Sequence, residues 1–169
     1  PPTILITAMG KVHDVSRLPA GQARNAGDLI FWVSGQKNLW NENGMPNVDF
    51  EQMKLFYPAF HRAIREELIA GAHDVSDGGW LSTTAEMFLG SGLGASLCTD
   101  WAADELFSEP ATSFVCLVRP EKKAQFLKTL ERFRLNEVGS VTSGDDFTLE
   151  TGEGKKIWKV SELERAYEH

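Results

Sequence analysis

His73, Asp74, Ser76 and Asp77 bring an imidazole, two carboxylates and a hydroxyl into one short segment, and Gly78 and Gly79 follow at once. At a strand-to-helix turn such groups suit an anion or a hard cation. Asp74 and Asp77 offer oxygens to Mg²⁺, which takes carboxylates together with substrate phosphates. The paired glycines let backbone N–H groups at the helix start come close to a ligand. The plain alternative is local: Ser76 or Asp77 caps the helix, and His73 bonds a carbonyl. Zinc is a weaker reading, because His73 has no second His or Cys at a ligand spacing.

Leu106-Phe107-Ser108-Glu109-Pro110 places another hydroxyl and carboxylate on a loop that leads into an apolar strand, where side chains can project towards a ligand at a sheet edge. Read without any family, it is an ordinary loop. Gly90-Ser91-Gly92-Leu93-Gly94 imitates a dinucleotide fingerprint only on paper, since that motif needs a strand before it and a helix after it. It reads as a helix C-cap and loop. His13, His61 and His169 stand alone, no Walker-type loop is present, and no Ser-His-Asp arrangement is evident. Cys98 and Cys116 lie in apolar runs and are expected to be free thiols of the core.

The elements that must hold these groups follow from periodicity. Residues 3–9 and 28–33 read as strands, and Asp49 can cap a helix that continues to about Gly71, kinked or split at Pro58. A short segment at 71–77 leads to a helix from Gly79 to about Leu89, then a strand near 93–98. A helical piece at 101–107, a strand at 113–118 and a helix from Pro120 to about Phe133 come next. Strands near 136–142, 146–150 and 156–159 read as successive hairpins turning at 143–145 and 152–154, and a capped helix starts at Ser161. The strict strand-helix repetition of a doubly wound sheet is absent, so the expected fold is α+β, a mixed sheet covered by helices.

A chain of 169 residues, 42% hydrophobic, fills one core, and residues 1–169 are read as a single domain. Seventeen basic against twenty-four acidic residues give a net charge of −7 with no Lys/Arg stripe, which argues against nucleic acid. No apolar run is long enough to span a membrane and no secretory signature opens the chain, so a cytoplasmic protein without a membrane partner is expected. The Pro-Pro-Thr opening without an initiator Met reads as a piece of something longer.

Three stretches together resemble one family: Pro1-Pro2-Thr3-Ile4-Leu5-Ile6 with Gly10-Lys11-Val12-His13-Asp14-Val15, then His73-Asp74-Val75-Ser76-Asp77-Gly78-Gly79-Trp80, then Leu106-Phe107-Ser108-Glu109. They are similar to the C-terminal domain of the second synthetase half of phosphoribosylformylglycinamidine synthases, within the AIR synthase-related C-terminal domain superfamily. That superfamily also contains selenophosphate synthetase, thiamine monophosphate kinase and a hydrogenase maturation protein.

The resemblance implies an α+β sandwich related to the ferredoxin-like fold. It implies a parent ligase that uses ATP with Mg²⁺, and ammonia from a glutaminase domain or subunit, to convert formylglycinamide ribonucleotide to the amidine in purine biosynthesis. It further implies partners in the N-terminal synthetase domains of the same parent and no catalytic residue in this piece. Asp74 matches a position that can approach a metal, and Ser108 and Glu109 match a Ser-Glu pair lining the substrate side. His73, Ser76, Asp77, Gly78 and Gly79 complete the expected nucleotide or substrate set, with ATP or ADP as the cofactor. Pro110 replaces a family Ser, and Ser113 stands where the family has an Arg. The alternatives are another enzyme of the superfamily, of selenophosphate synthetase or thiamine monophosphate kinase type, and an assembly module without catalysis.

Overall fold

The computed structural model describes residues 5–12, 14–36, 38–40, 45 and 47–167. Seven strands form one sheet: β1 (Leu29–Ser34), β2 (Gly71–Asp74), β3 (Leu93–Cys98), β4 (Ser113–Val118), β5 (Arg134–Ser143), β6 (Asp146–Thr151) and β7 (Gly154–Lys159). Five helices join them: α1 (Phe50–Arg65), α2 (Gly79–Glu86), α3 (Ala103–Leu106), α4 (Lys123–Thr129) and α5 (Val160–Tyr167). The strand order is β2-β4-β1-β5-β3-β6-β7, antiparallel throughout except for the parallel pair β3 and β6. The expected mixed α+β sheet is therefore present.

Central strands β1 and β4 are buried on both faces, which is why they read as continuous apolar runs. On one face Phe31, Val33, Cys116 and Val118 meet Phe56, Phe60 and Ala63 of α1 and Phe126 of α4. On the other, Ile30, Trp32, Val115 and Leu117 meet Trp80 and Leu81 of α2, Leu106 of α3 and Val160 of α5.

Helix α1 starts where Asp49 predicts, its Oδ1 accepting from the amides of Glu51 at 3.0 Å and Gln52 at 3.1 Å. Pro58 neither splits nor ends it; Pro58 lies on the exposed side, where water can take the carbonyl that loses its partner. The helix stops at Arg65 rather than near Gly71. Glu67 turns left-handed at φ 55, its amide reaches Ile64 O at 2.9 Å, and the Leu68 amide reaches Ala63 O at 3.0 Å, which closes a Schellman cap.

Four further expectations need correction. Residues 5–9 form no strand: they are exposed and pair with no part of the sheet, while residues 3 and 4 lie outside the described set, as does most of the turn-rich stretch at 40–47. Strands β5 and β6 are not a hairpin, because β3 lies between them. The link at 143–145 crosses the start of β3, and only a glycine fits beneath it: a Cβ on Gly94 would stand 2.3 Å from Asp146 O and 2.9 Å from Gly144 O. Cys98 is exposed, since alternation along β3 turns it to the uncovered half of the sheet, whereas Cys116 is buried as expected. Helix α5 begins one residue early, and its cap comes from Asp145, which accepts from the Ser161 amide at 3.0 Å and the Ser161 hydroxyl at 2.7 Å.

Candidate functional site

The segment 71–79 leaves β2, turns, and enters α2, so His73 and Asp74 end a strand and Gly79 begins a helix. β2 lies at the edge of the sheet and pairs along its length with β4, with His73 opposite Val115 and Asp74 opposite Phe114, while Ala20 bridges its first residue, Gly71, on the other side. Across the turn the Val75 amide bonds Ser113 O at 2.9 Å, which ties it to the start of β4. Above it, α2 is fixed by an indole: Trp32 Nε1 donates to Thr84 Oγ1 at 3.0 Å, and Thr84 Oγ1 donates to Trp80 O at 2.6 Å. Trp32 also packs against Trp80 at 5.6 Å and Trp101 at 4.9 Å between ring centres. The position of Gly79 is thus set by its neighbour Trp80.

Both motif segments converge here. Gly78 is left-handed at φ 83, and its amide donates to Glu109 Oε1 at 2.8 Å. Gly79 is left-handed at φ 73 and lies on the backbone of Phe107 and Ser108, where a Cβ would come within 2.4 Å of Phe107 C and 2.5 Å of Ser108 O. Ser108 is buried, and its hydroxyl donates to Glu105 O at 2.6 Å. Glu109 is exposed and acts as the anion at the start of α2, in place of a side-chain cap from Ser76 or Asp77. Ser76 contributes through its carbonyl, which accepts from the Gly79 amide at 2.9 Å. The two amides expected to face a ligand therefore already have partners within the chain.

His73 is half-buried, and its Nδ1 lies 2.8 Å from Asp74 O, so the carbonyl contact of the plain alternative is present. Its Nε2 faces Glu86 Oε2 at 3.9 Å. Asp74, Ser76 and Asp77 are exposed, with Asp74 72% open to solvent. No group of three or more His, Cys, Asp or Glu forms a metal cage among the described residues. The carboxylates of Asp74 and Asp77 both face solvent at this turn.

Pro110 is buried, and the Ser113 hydroxyl donates to Ser34 Oγ at 3.0 Å. Where an arginine would present charge, this chain holds two buried strands together. Residue types alone did not show that Glu109 would close onto Gly78, or that Trp32, Trp80 and Trp101 position the turn. The second had a signal: Thr84 lies four residues after Trp80, one helical turn on.

The family described as AIR synthase related protein, C-terminal domain, matches residues 27–152, most of the chain and all of the turn and loop above. The chain belongs to that family. Among solved structures, the domain superposes on phosphoribosylformylglycinamidine synthase II of Thermotoga maritima with a TM-score of 0.75, at 22% identity over 89% of this chain and 28% of that one. T. maritima PurL complexed with ATP gives a TM-score of 0.77 at 22% identity, with the same coverage. The hydrogenase maturation protein HypE gives 0.58 at 16% identity, covering 82% of this chain and 54% of that one.

At such identities these likenesses show the fold. The AIR synthase-related domain spans less than a third of the length of the T. maritima proteins. No helix among the described residues is long and apolar enough to cross a membrane.

Proposed function

We propose that this chain serves as the C-terminal domain of the second synthetase half of a phosphoribosylformylglycinamidine synthase, a cytoplasmic ligase of purine biosynthesis. The parent would join formylglycinamide ribonucleotide to glutamine-derived ammonia at the expense of ATP. The supporting observation is the closure of the two motif segments onto each other, through the 2.8 Å Gly78–Glu109 bond and the seat of Gly79 on Phe107 and Ser108. Residues that resemble one family's site separately are here one physical unit.

In this reading residues 1–169 are one domain that works beside the N-terminal synthetase domains of the parent and a glutaminase domain or subunit. Glu109 and Ser108 hold the turn in shape. Asp74, Ser76 and Asp77 remain open at its surface, and His73 stays half-buried behind Asp74. Mg²⁺ would supply charge neutralisation for nucleotide phosphates, with Asp74 as its one oxygen ligand from this chain. No residue here is assigned to the chemical step, so the chain alone should bind nucleotide without turning it over.

Calorimetric titration with Mg²⁺-ADP tests this. Saturable binding that is lost in Asp74→Asn supports the assignment. Binding unaffected by that substitution removes Asp74 from the site, and ATP hydrolysis by the purified chain overturns the division of labour between domains.

A further inference from the structure

A cavity of about 650 Å³ lies away from that turn. It opens between residues 11–19 and the C-terminal end of α1. Ala20, next along the chain, bridges to Gly71 at the start of β2, whereas the candidate site lies at the other end of that strand. The cavity uses Lys11, Val12 and Asp14 of the Gly10–Val15 motif, which the proposed function leaves without a role. Its neighbour His13 lies outside the described residues.

Its walls combine two chemistries. Val12, Leu18, Pro19 and Ile64 give an apolar lining, and Lys11, His61 and Arg65 project basic groups into the same space. His61 and Arg65 are one helical turn apart and share a face of α1.

The nearby acidic groups make their bonds elsewhere and form no direct pair with these groups. Arg17 is already engaged, its Nε donating to Glu67 Oε1 at 2.7 Å and its Nη2 to Arg65 O at 2.9 Å. Glu66 accepts from Gln125 Nε2 at 3.2 Å. Asp14 Oδ1 accepts from the Ser16 hydroxyl at 2.6 Å and the Ser16 amide at 2.9 Å, bonds that hold its carboxyl below the ordinary carboxylate range. Lys11, His61 and Arg65 form no ion pair among the described residues.

A predominantly apolar pocket of several hundred Å³ with a few convergent polar groups is the usual form of a small-molecule site. We propose that this cavity is a second ligand site, for a small organic anion whose apolar body lies against Val12, Leu18 and Ile64 and whose phosphate or carboxylate meets Lys11, His61 and Arg65. Asp14 on the same wall confines the anionic group to the side nearer α1. The site does not depend on the nucleotide reading of the 73–79 turn.

Phenyl phosphate, inorganic phosphate and phenol separate the two contributions in a calorimetric titration of the whole chain. Phenyl phosphate should bind saturably, and inorganic phosphate and phenol should each bind at least about tenfold more weakly, since charge-assisted bonds and apolar contact each contribute on the order of one decade. Combining His61→Asn with Arg65→Gln should weaken phenyl phosphate by about tenfold or more with the melting curve in place, because both side chains are exposed. Asp74→Asn should leave this binding unchanged. Absence of saturable phenyl phosphate binding, phenol binding as tight as phenyl phosphate, binding that survives the double substitution, or binding abolished by Asp74→Asn would each overturn the proposal.

Discussion

Gly79→Ala probes the joint between the two motif segments directly. Gly79 is left-handed at φ 73, a conformation that costs an L-residue about 1–2 kcal/mol. The new methyl would also stand 2.4 Å from Phe107 C and 2.5 Å from Ser108 O, backbone atoms that cannot rotate away. Forcing such a contact apart costs roughly 1–3 kcal/mol, as overpacking does. The sum is roughly 2–5 kcal/mol. A domain of this size loses about 2–4 °C of melting temperature per kcal/mol, so a fall of roughly 4–20 °C is expected. Gly92→Ala supplies the control: φ is nearly the same at 68, but nothing lies within 4 Å of the added Cβ, so only the conformational part of about 1–2 kcal/mol remains. Urea unfolding of the two variants against the parent, at constant m value, gives both numbers. Equal destabilisation by the two substitutions would refute the claim that the 73–79 turn and the 106–109 loop are in rigid contact.

Three other expectations follow from the packing. Asp49→Ala removes an oxygen that caps two amides of α1 and should lower stability by about 0.5–2 kcal/mol in the same urea assay, with Asp49→Ser restoring most of it. Asp28 is only 4% exposed, and burial pushes its carboxyl above the ordinary range against a weak opposing bond from Asn25 Nδ2. The folded state therefore holds its proton more tightly than the unfolded one. The parent should lose stability relative to Asp28→Asn as pH rises above about 4, and the difference should become constant below that pH; a difference independent of pH in acid unfolding curves would contradict the assignment. A thiol reagent should modify Cys98 at once and Cys116 only on unfolding, because Cys116 is fully enclosed and its burial raises the thiol's pKa; two fast thiols in the native protein would place Cys116 wrongly.

The fold was legible where a local physical rule decided it. Asp49 at the start of α1, the turn glycines after α2 and the apolar strand at 113–118 all lie where propensity and pattern place them. The insertion of β3 between β5 and β6 was not legible, because hairpin signals at 143–145 describe a reversal of the chain and not which strand fills the space beside it. Cys98 was misplaced for a related reason: the apolar run around it is one face of an alternating strand, and the helices cover only the inner half of the sheet's second face. At the candidate site, residue types located the turn, but its closure by Glu109 joins groups 31 positions apart, beyond the reach of spacing rules. The cavity at α1 was hidden for the same reason, since residues 11–19 meet 61–65 only in three dimensions.

The place of β1 at the centre of the sheet also sets a timetable for synthesis. Its two neighbours are β4 and β5, and β5 ends only at Ser143, about a hundred residues after β1 does. At roughly 5–20 residues per second, the run Ile30-Phe31-Trp32-Val33 waits several seconds on the ribosome with both of its hydrogen-bonding edges open. Until β5 emerges this strand is the segment most exposed to wrong pairing, and a chaperone that holds unfolded chains would find its best target there.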